Sequence, residues 1–407
     1  MRLSATTVTV LKLGTAQTLA WASTYYLCAI LAAPMARDLG LDTATVFAAL
    51  SMGLLVTGIL GPRAGRAIDT LGGKPVLALS NALFAAGLVL LGNAHSVYGL
   101  FAAWLVIGIG MAGGLYEAAF AALVRIYGTD SRNAITGITL LAGFASTVGW
   151  PLTAALEHWL GWRGACFVWA ALHGVIALPL NLSLPNCQAS AGVQTGAANA
   201  PAQETRPPVQ WRTAALLGLV FAITWFVSTA MAAHLPTLLA ASGVSVAMAV
   251  TAGALIGPAQ VLGRLTEFSV LRHIHPLWSA RLASALHPIG ATVLALVGAP
   301  ATFVFAVLHG SGNGIMTIAK GTLPLALFGP QGYGERQGVL MLPARLAQAL
   351  APWLFGLCIT RWGAGALWIS AGLGMLASAA LWLLGSHADA DQRTDSTADA
   401  ASPEGTP

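Results

Sequence analysis

The sequence predicts an all-α membrane protein with twelve transmembrane helices arranged as two pseudo-repeated six-helix bundles. Of its 407 residues, 57% are hydrophobic and only 8% are charged, which is about a third of the charged fraction usual in soluble domains. The apolar residues form twelve segments of membrane-spanning length. The two halves of the chain also resemble each other at an offset of about 200 residues, and internal repetition is a strong organising signal.

Each predicted span is long enough to cross the hydrocarbon core of a bilayer, which takes roughly 20 apolar residues. The first span stays part of the protein, because the residues before it are too few and too mixed for a cleaved signal. In chain order, the spans cover residues 10–33, 43–62, 75–93, 98–124, 134–156, 164–185, 212–236, 245–265, 277–298, 300–323, 338–359 and 363–385.

A stretch rich in Pro, Ala, Gly and Gln divides the spans into two sets of six. This composition is typical of a linker. It predicts an N-terminal bundle at 1–186, a cytoplasmic linker at 187–211 and a C-terminal bundle at 212–386, and the small acidic residues 387–407 are expected to form a disordered tail. Most basic residues lie in loops on one side, which predicts a multi-pass protein of the cell (inner or plasma) membrane with both termini in the cytoplasm.

Several classes of protein are excluded by what the sequence lacks. The four cysteines have no metal-ligand spacing, so neither a metal site nor a cofactor is expected. The net charge of +5 is spread over short loops, and nucleic acid is not an expected partner. There is no Walker lysine motif, which excludes nucleotide hydrolysis as the energy source. There is also no cluster of catalytic residues, which disfavours an enzyme. A channel is disfavoured because a two-fold repeat suits two bundles that rock about a central site.

The loop after the second span reads Gly65-Arg-Ala-Ile-Asp69-Thr-Leu-Gly72-Gly73-Lys74, and it resembles the loop signature of the major facilitator superfamily. Its glycines permit a tight turn, and its acid can lie against a helix N-terminus or a nearby cation. The resemblance implies a latch that favours the outward-open state, with a weaker counterpart after the eighth span. The alternative is that the basic residues of this loop only set the membrane topology and that Asp69 is a solvated loop acid. The latch set comprises Gly65, Arg66, Asp69, Gly72, Lys74, Arg264 and Glu267.

Ionisable residues inside a span are costly unless they face a wet cavity or a partner. Three such residues stand out: Glu117 in the fourth span, Lys320 in the tenth and Arg345 in the eleventh. Helical spacing places Asn313 and Thr317 on the same face as Lys320. In the family that the sequence resembles, the first, fourth, seventh and tenth spans line a central cavity, and this adds to the candidate substrate-binding residues Gln17, Tyr25 and Tyr26.

The resemblance implies a secondary active transporter that works by alternating access, with a small-molecule substrate, protons or a counter-ion, and the lipid bilayer as partners. One hypothesis is that Lys320 and Arg345 attract a carboxylate while Glu117 carries a coupling proton. The structural interpretation is that Glu117 pairs permanently with Arg125 or Lys320, and that both span cations extend to the cytoplasmic interface. Residues 127–137 resemble the corresponding region of monocarboxylate carriers. This resemblance favours a small organic anion as substrate, as in the monocarboxylate and oxalate/formate carriers. Proton-driven drug efflux is the alternative.

Overall fold

The computed structural model describes residues 4–185 and 211–399, so the predicted linker lies outside the described residues except for Trp211. All regular secondary structure in these two ranges is helical. The α-helices are α1 (Ala5–Ser23), α2 (Leu27–Leu39), α3 (Thr43–Leu71), α4 (Gly73–Gly92), α5 (Val97–Gly114), α6 (Tyr116–Tyr127), α7 (Arg132–Ala142), α8 (Ala145–Leu172), α9 (Leu178–Leu182), α10 (Trp211–Ala241), α11 (Val246–Ser269), α12 (Pro276–Val297), α13 (Thr302–Phe328), α14 (Tyr333–Trp362) and α15 (Ala366–Asp399).

Nine segments of the described chain are long and apolar enough to cross a membrane. Two of them hold more than one crossing. The segment Val97–Leu182 is broken by the turn Gly128–Ser131 and again at Gly161, whose φ of 70° interrupts α8. The segment Tyr333–Leu384 is broken by the turn Gly363–Gly365. Divided at these three breaks, the described residues form twelve segments, which is consistent with the sequence-based count.

The last helix extends beyond the membrane-spanning residues. The composition predicts a disordered tail from residue 387, whereas the backbone of α15 is helical to Asp399. A helix that has already formed continues without a second nucleation cost, so polar residues after a span can extend it. Residues 400–407 lie outside the described part of the chain.

Buried apolar residues form one large cluster in the N-terminal half and two in the C-terminal half. Neighbouring helices approach closely where a glycine lies at the contact, as expected in lipid, where packing rather than water expulsion drives association. A Cβ atom at Gly108 of α5 would lie 2.6 Å from the Gly53 oxygen of α3. At Gly310 of α13, it would lie 2.7 Å from the Ile256 oxygen of α11. The two halves therefore repeat this contact.

The two bundles meet mainly at one end of the molecule. We call this the basic end, because Arg66, Arg125, Arg132, Arg272 and Arg336 lie there. The extensive contacts between the halves join α3 and α6 with α14, and α7 with α11 and α13. At the opposite end, α2 makes its extensive contacts with helices of its own half, as does α10. The bundles are therefore closed against each other at the basic end.

Candidate functional site

Three ionised side chains meet where α6, α13 and α14 come together, and we call them the central cluster: Glu117, Lys320 and Arg345. Lys320 Nζ donates to Glu117 Oε1 at 3.0 Å, and Arg345 Nη2 donates to Glu117 Oε2 at 2.9 Å. The Lys320 and Arg345 side chains are only 1% and 3% exposed. Glu117 belongs to the N-terminal half and both cations to the C-terminal half, so these ion pairs connect the two bundles.

A break in the fourth crossing positions the carboxylate of this cluster. Leu115 has extended backbone between α5 and α6, with φ −91° and ψ −170°. Glu117 therefore lies in the first turn of α6, where unpaired backbone N–H groups and the helix dipole favour a negative charge. Gln17 of α1 donates to the Gly114 carbonyl at 2.7 Å. Polar backbone groups that a break exposes in a membrane need such a partner.

Polar and aromatic groups surround the two cations. The Lys320 ammonium lies 4.5 Å from the ring centroid of Trp225 and 5.2 Å from that of Tyr116, and aromatic faces stabilise a cation. Arg345 Nη1 donates to Gln348 Oε1 at 2.9 Å, and Gln348 Nε2 donates to the Tyr25 hydroxyl at 3.3 Å. The cluster is thus linked to the first crossing and carries one more positive than negative charge.

Arg264 of α11 adds a further buried cation beside the cluster. It is 5% exposed, and its Nε and Nη1 atoms have no hydrogen-bond partner among the described residues. Its charge acts on Lys320, Tyr26 and Tyr116, and its guanidinium packs against Gly143 of the other bundle. Burying a guanidinium without partners is costly. A bound anion would satisfy these free N–H groups.

Aromatic rings form the wall next to these charges. Trp21 lies 5.6 Å from Tyr25 and 5.0 Å from Tyr116, measured between ring centroids. Tyr26 lies 5.8 Å from Trp150 in an edge-on arrangement. Such rings offer a large apolar surface with hydroxyl or indole N–H groups at its edge. The site therefore combines excess positive charge with an aromatic wall.

A second set of contacts closes the basic end between α3 and α14. Asp69 Oδ1 accepts from the Gly334 backbone N–H at 2.9 Å, and Oδ2 accepts from that of Glu335 at 2.8 Å. Both donors belong to the first turn of α14, where such N–H groups are free and bind anions well. Arg66 forms an ion pair with the Glu335 side chain. Asp69 and Arg66 of one bundle therefore hold the start of a helix of the other.

A third inter-bundle contact joins α7 to the end of α11. Arg132 Nη2 donates to Glu267 Oε1 at 3.1 Å, and Glu267 is fully buried. Arg132 also donates to the carbonyls of Leu271 and Ile274, at 3.1 and 2.8 Å. In the same loop, burial lowers the pKa of His275, and the charges of Arg132 and Arg281 act in the same direction.

A sequence model of the Major Facilitator Superfamily matches residues 13–300 of this chain. The chain belongs to the major facilitator superfamily. It is therefore a multi-pass membrane transporter. No curated protein matches the sequence.

Solved structures of major facilitator transporters share the fold of the whole chain. The human organic anion transporter MFSD10 (TETRAN) is 17% identical, with a TM-score of 0.69 that covers 92% of this chain and 98% of that one. FucP in the outward conformation is 13% identical, with a TM-score of 0.71 and coverage of 92% and 98%. The proton:xylose symporter XylE is also 13% identical, with a TM-score of 0.71 and coverage of 92% and 95%. At these identities the likeness shows the fold alone.

Within this major facilitator fold, the predicted substrate-binding residues fall into two groups. Around the central site lie Gln17, Tyr25, Tyr26, Glu117, Lys320 and Arg345. Asn313 instead donates to His309 at 3.2 Å inside the C-terminal bundle, and Thr317 donates to the Asn313 carbonyl at 2.7 Å. The span cations do not extend to the membrane interface, and Arg125 bonds the Thr70 carbonyl rather than Glu117. The structural interpretation also named a Glu117–Lys320 ion pair, and the structure contains that pair.

The major facilitator loop motif makes some of the contacts that the sequence suggested and not others. Asp69 binds a helix N-terminus, which the sequence allowed, but it does not pair with Arg66 in this structure. Gly72 supplies the turn with a φ of 95°. Lys74 forms no ion pair with Asp69 among the described residues. In the second copy, Glu267 pairs with Arg132 of the other bundle, and Arg264 faces the central site instead of Glu267. Arg264 and Glu267 are three residues apart on α11, and their side chains contact different groups.

Sequence reasoning left five site residues out of the candidate sets. The repeat of tryptophans in the first and seventh spans could have indicated Trp225, and helical spacing from Arg345 could have indicated Gln348. Tyr116 directly precedes Glu117. No local pattern could have indicated the remaining two, because their partners are distant in the sequence: Arg132 and Glu335.

Proposed function

We propose that this transporter carries a small organic anion by alternating access of the central site to the two sides of the membrane. The supporting observation is the charge balance of the site. Lys320, Arg345 and Arg264 are buried there, and Glu117 is the carboxylate that faces the first two. An excess of positive charge in a low-dielectric cleft attracts anions and repels cations. A small carboxylate would neutralise one of the two excess positive charges.

The ion pairs couple substrate binding to movement of the bundles. A substrate carboxylate bound to Lys320 and Arg345 replaces Glu117 as their partner, so both cations remain paired while the connection to the N-terminal bundle is lost. Arginine can hold a carboxylate through two parallel N–H bonds. Substrate binding therefore lowers the free energy needed to separate the bundles at the basic end.

A coupling proton or a counter-ion can act on the same pairs. Protonation of Glu117 would remove its charge and release the two cations, as an incoming anion does. The first route couples transport to a proton gradient, and the second gives exchange of one anion for another. A Glu117→Gln variant separates them, because it should retain anion exchange and lose accumulation driven by a proton gradient.

We assign the basic end to the cytoplasm, which supports the cell membrane as location and both termini as cytoplasmic. The support is the distribution of charge: eleven Lys and Arg residues of the described chain lie at or near the basic end, against Arg37, Arg163 and Arg361 at the other, as the positive-inside rule requires. We infer that a conformer closed at the basic end gives the central site access to the outside rather than to the cytoplasm. The similar FucP structure is of an outward conformation.

The alternative function is proton-driven efflux of drugs. The aromatic wall of Trp21, Tyr25 and Tyr26 supports it, because such rings bind lipophilic molecules and cations. The buried cations weigh against it, since a lipophilic cation next to Arg264 and Lys320 would meet net positive charge. The anion is therefore the better match to the site.

Thermal unfolding of the purified protein with candidate ligands tests the proposal. A ligand at about 100 times its Kd stabilises the protein by about 2.7 kcal/mol. Small carboxylates should raise the Tm of the wild type and of Arg361→Ala, a control at the opposite end. They should not raise the Tm of Arg345→Ala. A rise with lipophilic cations alone would reject the anion carrier in favour of drug efflux.

A further inference from the structure

A second polar cavity lies inside the C-terminal bundle, apart from the central cluster. It is a small cavity among α10, α12, α13 and α15. Its polar lining consists of Thr224, Ser284, His287, His309 and Asn313. Polar groups in the middle of a membrane bundle are costly and tend to mark ion or proton sites.

The two histidines of this cavity form one hydrogen-bonded unit. His287 Nδ1 and His309 Nδ1 are 2.8 Å apart, and both residues are more than nine-tenths buried. Asn313 Nδ2 lies 3.2 Å from His309 Nε2. His287 Nε2 makes no hydrogen bond of normal geometry within the described residues, although the Ser370 backbone faces the ring.

We propose that the His287–His309 pair is a binding site for a single proton. A bond between two Nδ1 atoms requires a proton on one of them and a lone pair on the other. The neutral pair meets this condition, with His309 Nε2 accepting from Asn313. The pair with one added proton also meets it: both Nε2 atoms are then protonated, and the Asn313 amide turns its oxygen toward His309 Nε2. A second added proton would place N–H against N–H and break the bond. The pair therefore takes up one proton and no more.

The groups around the pair suit a proton better than a metal ion. Zinc binds histidine nitrogen at about 2.0–2.1 Å with tetrahedral angles, which separates two ligand nitrogens by about 3.3 Å. The observed separation of 2.8 Å is that of a hydrogen bond. The described residues contain no group of three metal-ligating side chains.

Neutral groups from every neighbouring helix face the pair. Thr224 comes from α10, Ser284 from α12, and the Ser370 backbone from α15, while the Phe305 ring is stacked on His309 at 5.5 Å between centroids. No other titratable side chain lines the cavity among the described residues. An added charge would be stabilised by these dipoles, by the ring face and by water in the cavity.

A polar stripe on α13 connects the proton site to the central cluster. His309, Asn313, Thr317 and Lys320 follow one another at helical spacing, and the first three are joined by hydrogen bonds. Protonation of the pair would therefore act on the helix that carries Lys320. The role of this proton in transport rests on the proposed function, but binding of the proton does not.

Proton counting on the purified protein tests the site without any substrate. The protons bound between pH 8 and pH 4, a range that covers buried as well as exposed histidine, are measured for the wild type and variants. His287→Gln and His309→Gln each remove the Nδ1–Nδ1 bond that shares the added proton, so the remaining buried ring should stay neutral and each variant should bind one proton fewer than the wild type. The double variant should also bind one fewer, because the pair holds one proton. The matched control is His173→Gln, whose buried ring is bonded to Ser23 at 2.7 Å and Asn81 at 2.8 Å, and it should lose none.

Two results would overturn the proposal: no loss in either single variant, or a loss of two protons in the double variant. If the variants do not fold, NMR of ¹⁵N-histidine in the wild-type protein takes their place. It should show two ring signals that titrate together in one step, and two independent steps or no titration would overturn the proposal. Carboxylate binding measured separately reports on the proposed function alone.

Discussion

Replacement of Glu117 by Gln removes the charge that connects the two bundles at the central cluster. Lys320 and Arg345 would then be buried without a counter-ion, and the loss of one partner of a buried ion pair costs about 3–5 kcal/mol. The Glu117 side chain is 15% exposed, so we take the lower value, about 3 kcal/mol. That free energy corresponds to roughly a 100-fold change in an equilibrium constant. This free-energy cost destabilises the conformer that is closed at the basic end.

Spin labels at Thr129 and Ser269 would measure this change. Both residues are exposed, one on each bundle at the basic end, and the four native cysteines would first be replaced by serine. The wild type should show one short distance. In Glu117→Gln, a conformer present at about 1% should rise to about half of the population, given a 100-fold shift. A longer distance should therefore appear.

Glu157→Gln is the matched control for this measurement. Glu157 lies in α8 and has no ion pair among the described residues, so its replacement should leave the short distance unchanged. If Glu117→Gln also leaves the distance distribution unchanged in folded protein, the central ion pairs do not hold the bundles together.

Three further predictions concern the contacts of the basic end. Asp69→Asn should weaken closure by about 1.5–3 kcal/mol, the usual contribution of hydrogen bonds to a charged group, and the same spin labels should report a longer distance. Gly65→Ala should also open this end, because its Cβ would overlap the Gly334 carbonyl, whereas Gly253→Ala, with open space around it, should not. Arg132→Ala leaves a fully buried carboxylate unpaired, so it should lower unfolding stability by about 3–5 kcal/mol, and Arg132→Ala combined with removal of that carboxylate should recover part of the loss.

The fold could be predicted because membrane helices obey a local rule. Each span must satisfy its own backbone hydrogen bonds and present about 20 apolar residues to lipid, so hydropathy along the chain suffices to count them. The break at Leu115 was not predictable in this way. It depends on Gln17, a residue of another helix that satisfies the Gly114 carbonyl.

The sequence could identify individual residues of the site but not their partners. Glu117, Lys320 and Arg345 are conspicuous because a charge inside a span is rare, and the structure brings all three together. Partners could not be read from the sequence, because they are set by how the bundles dock. Asp69 meets the start of α14, and Arg132 meets α11. Those contacts join residues more than a hundred positions apart.

Counterflow of a labelled small carboxylate through proteoliposomes tests the central claim, that buried cations of the C-terminal bundle bind the substrate. The wild type should show saturable exchange. Arg345→Gln and Lys320→Gln should lose at least about 10-fold in rate at low substrate, the equivalent of one charge-assisted hydrogen bond, whereas Arg361→Gln should match the wild type. Equal exchange in wild type and Arg345→Gln, with normal amounts of folded protein, would contradict the account.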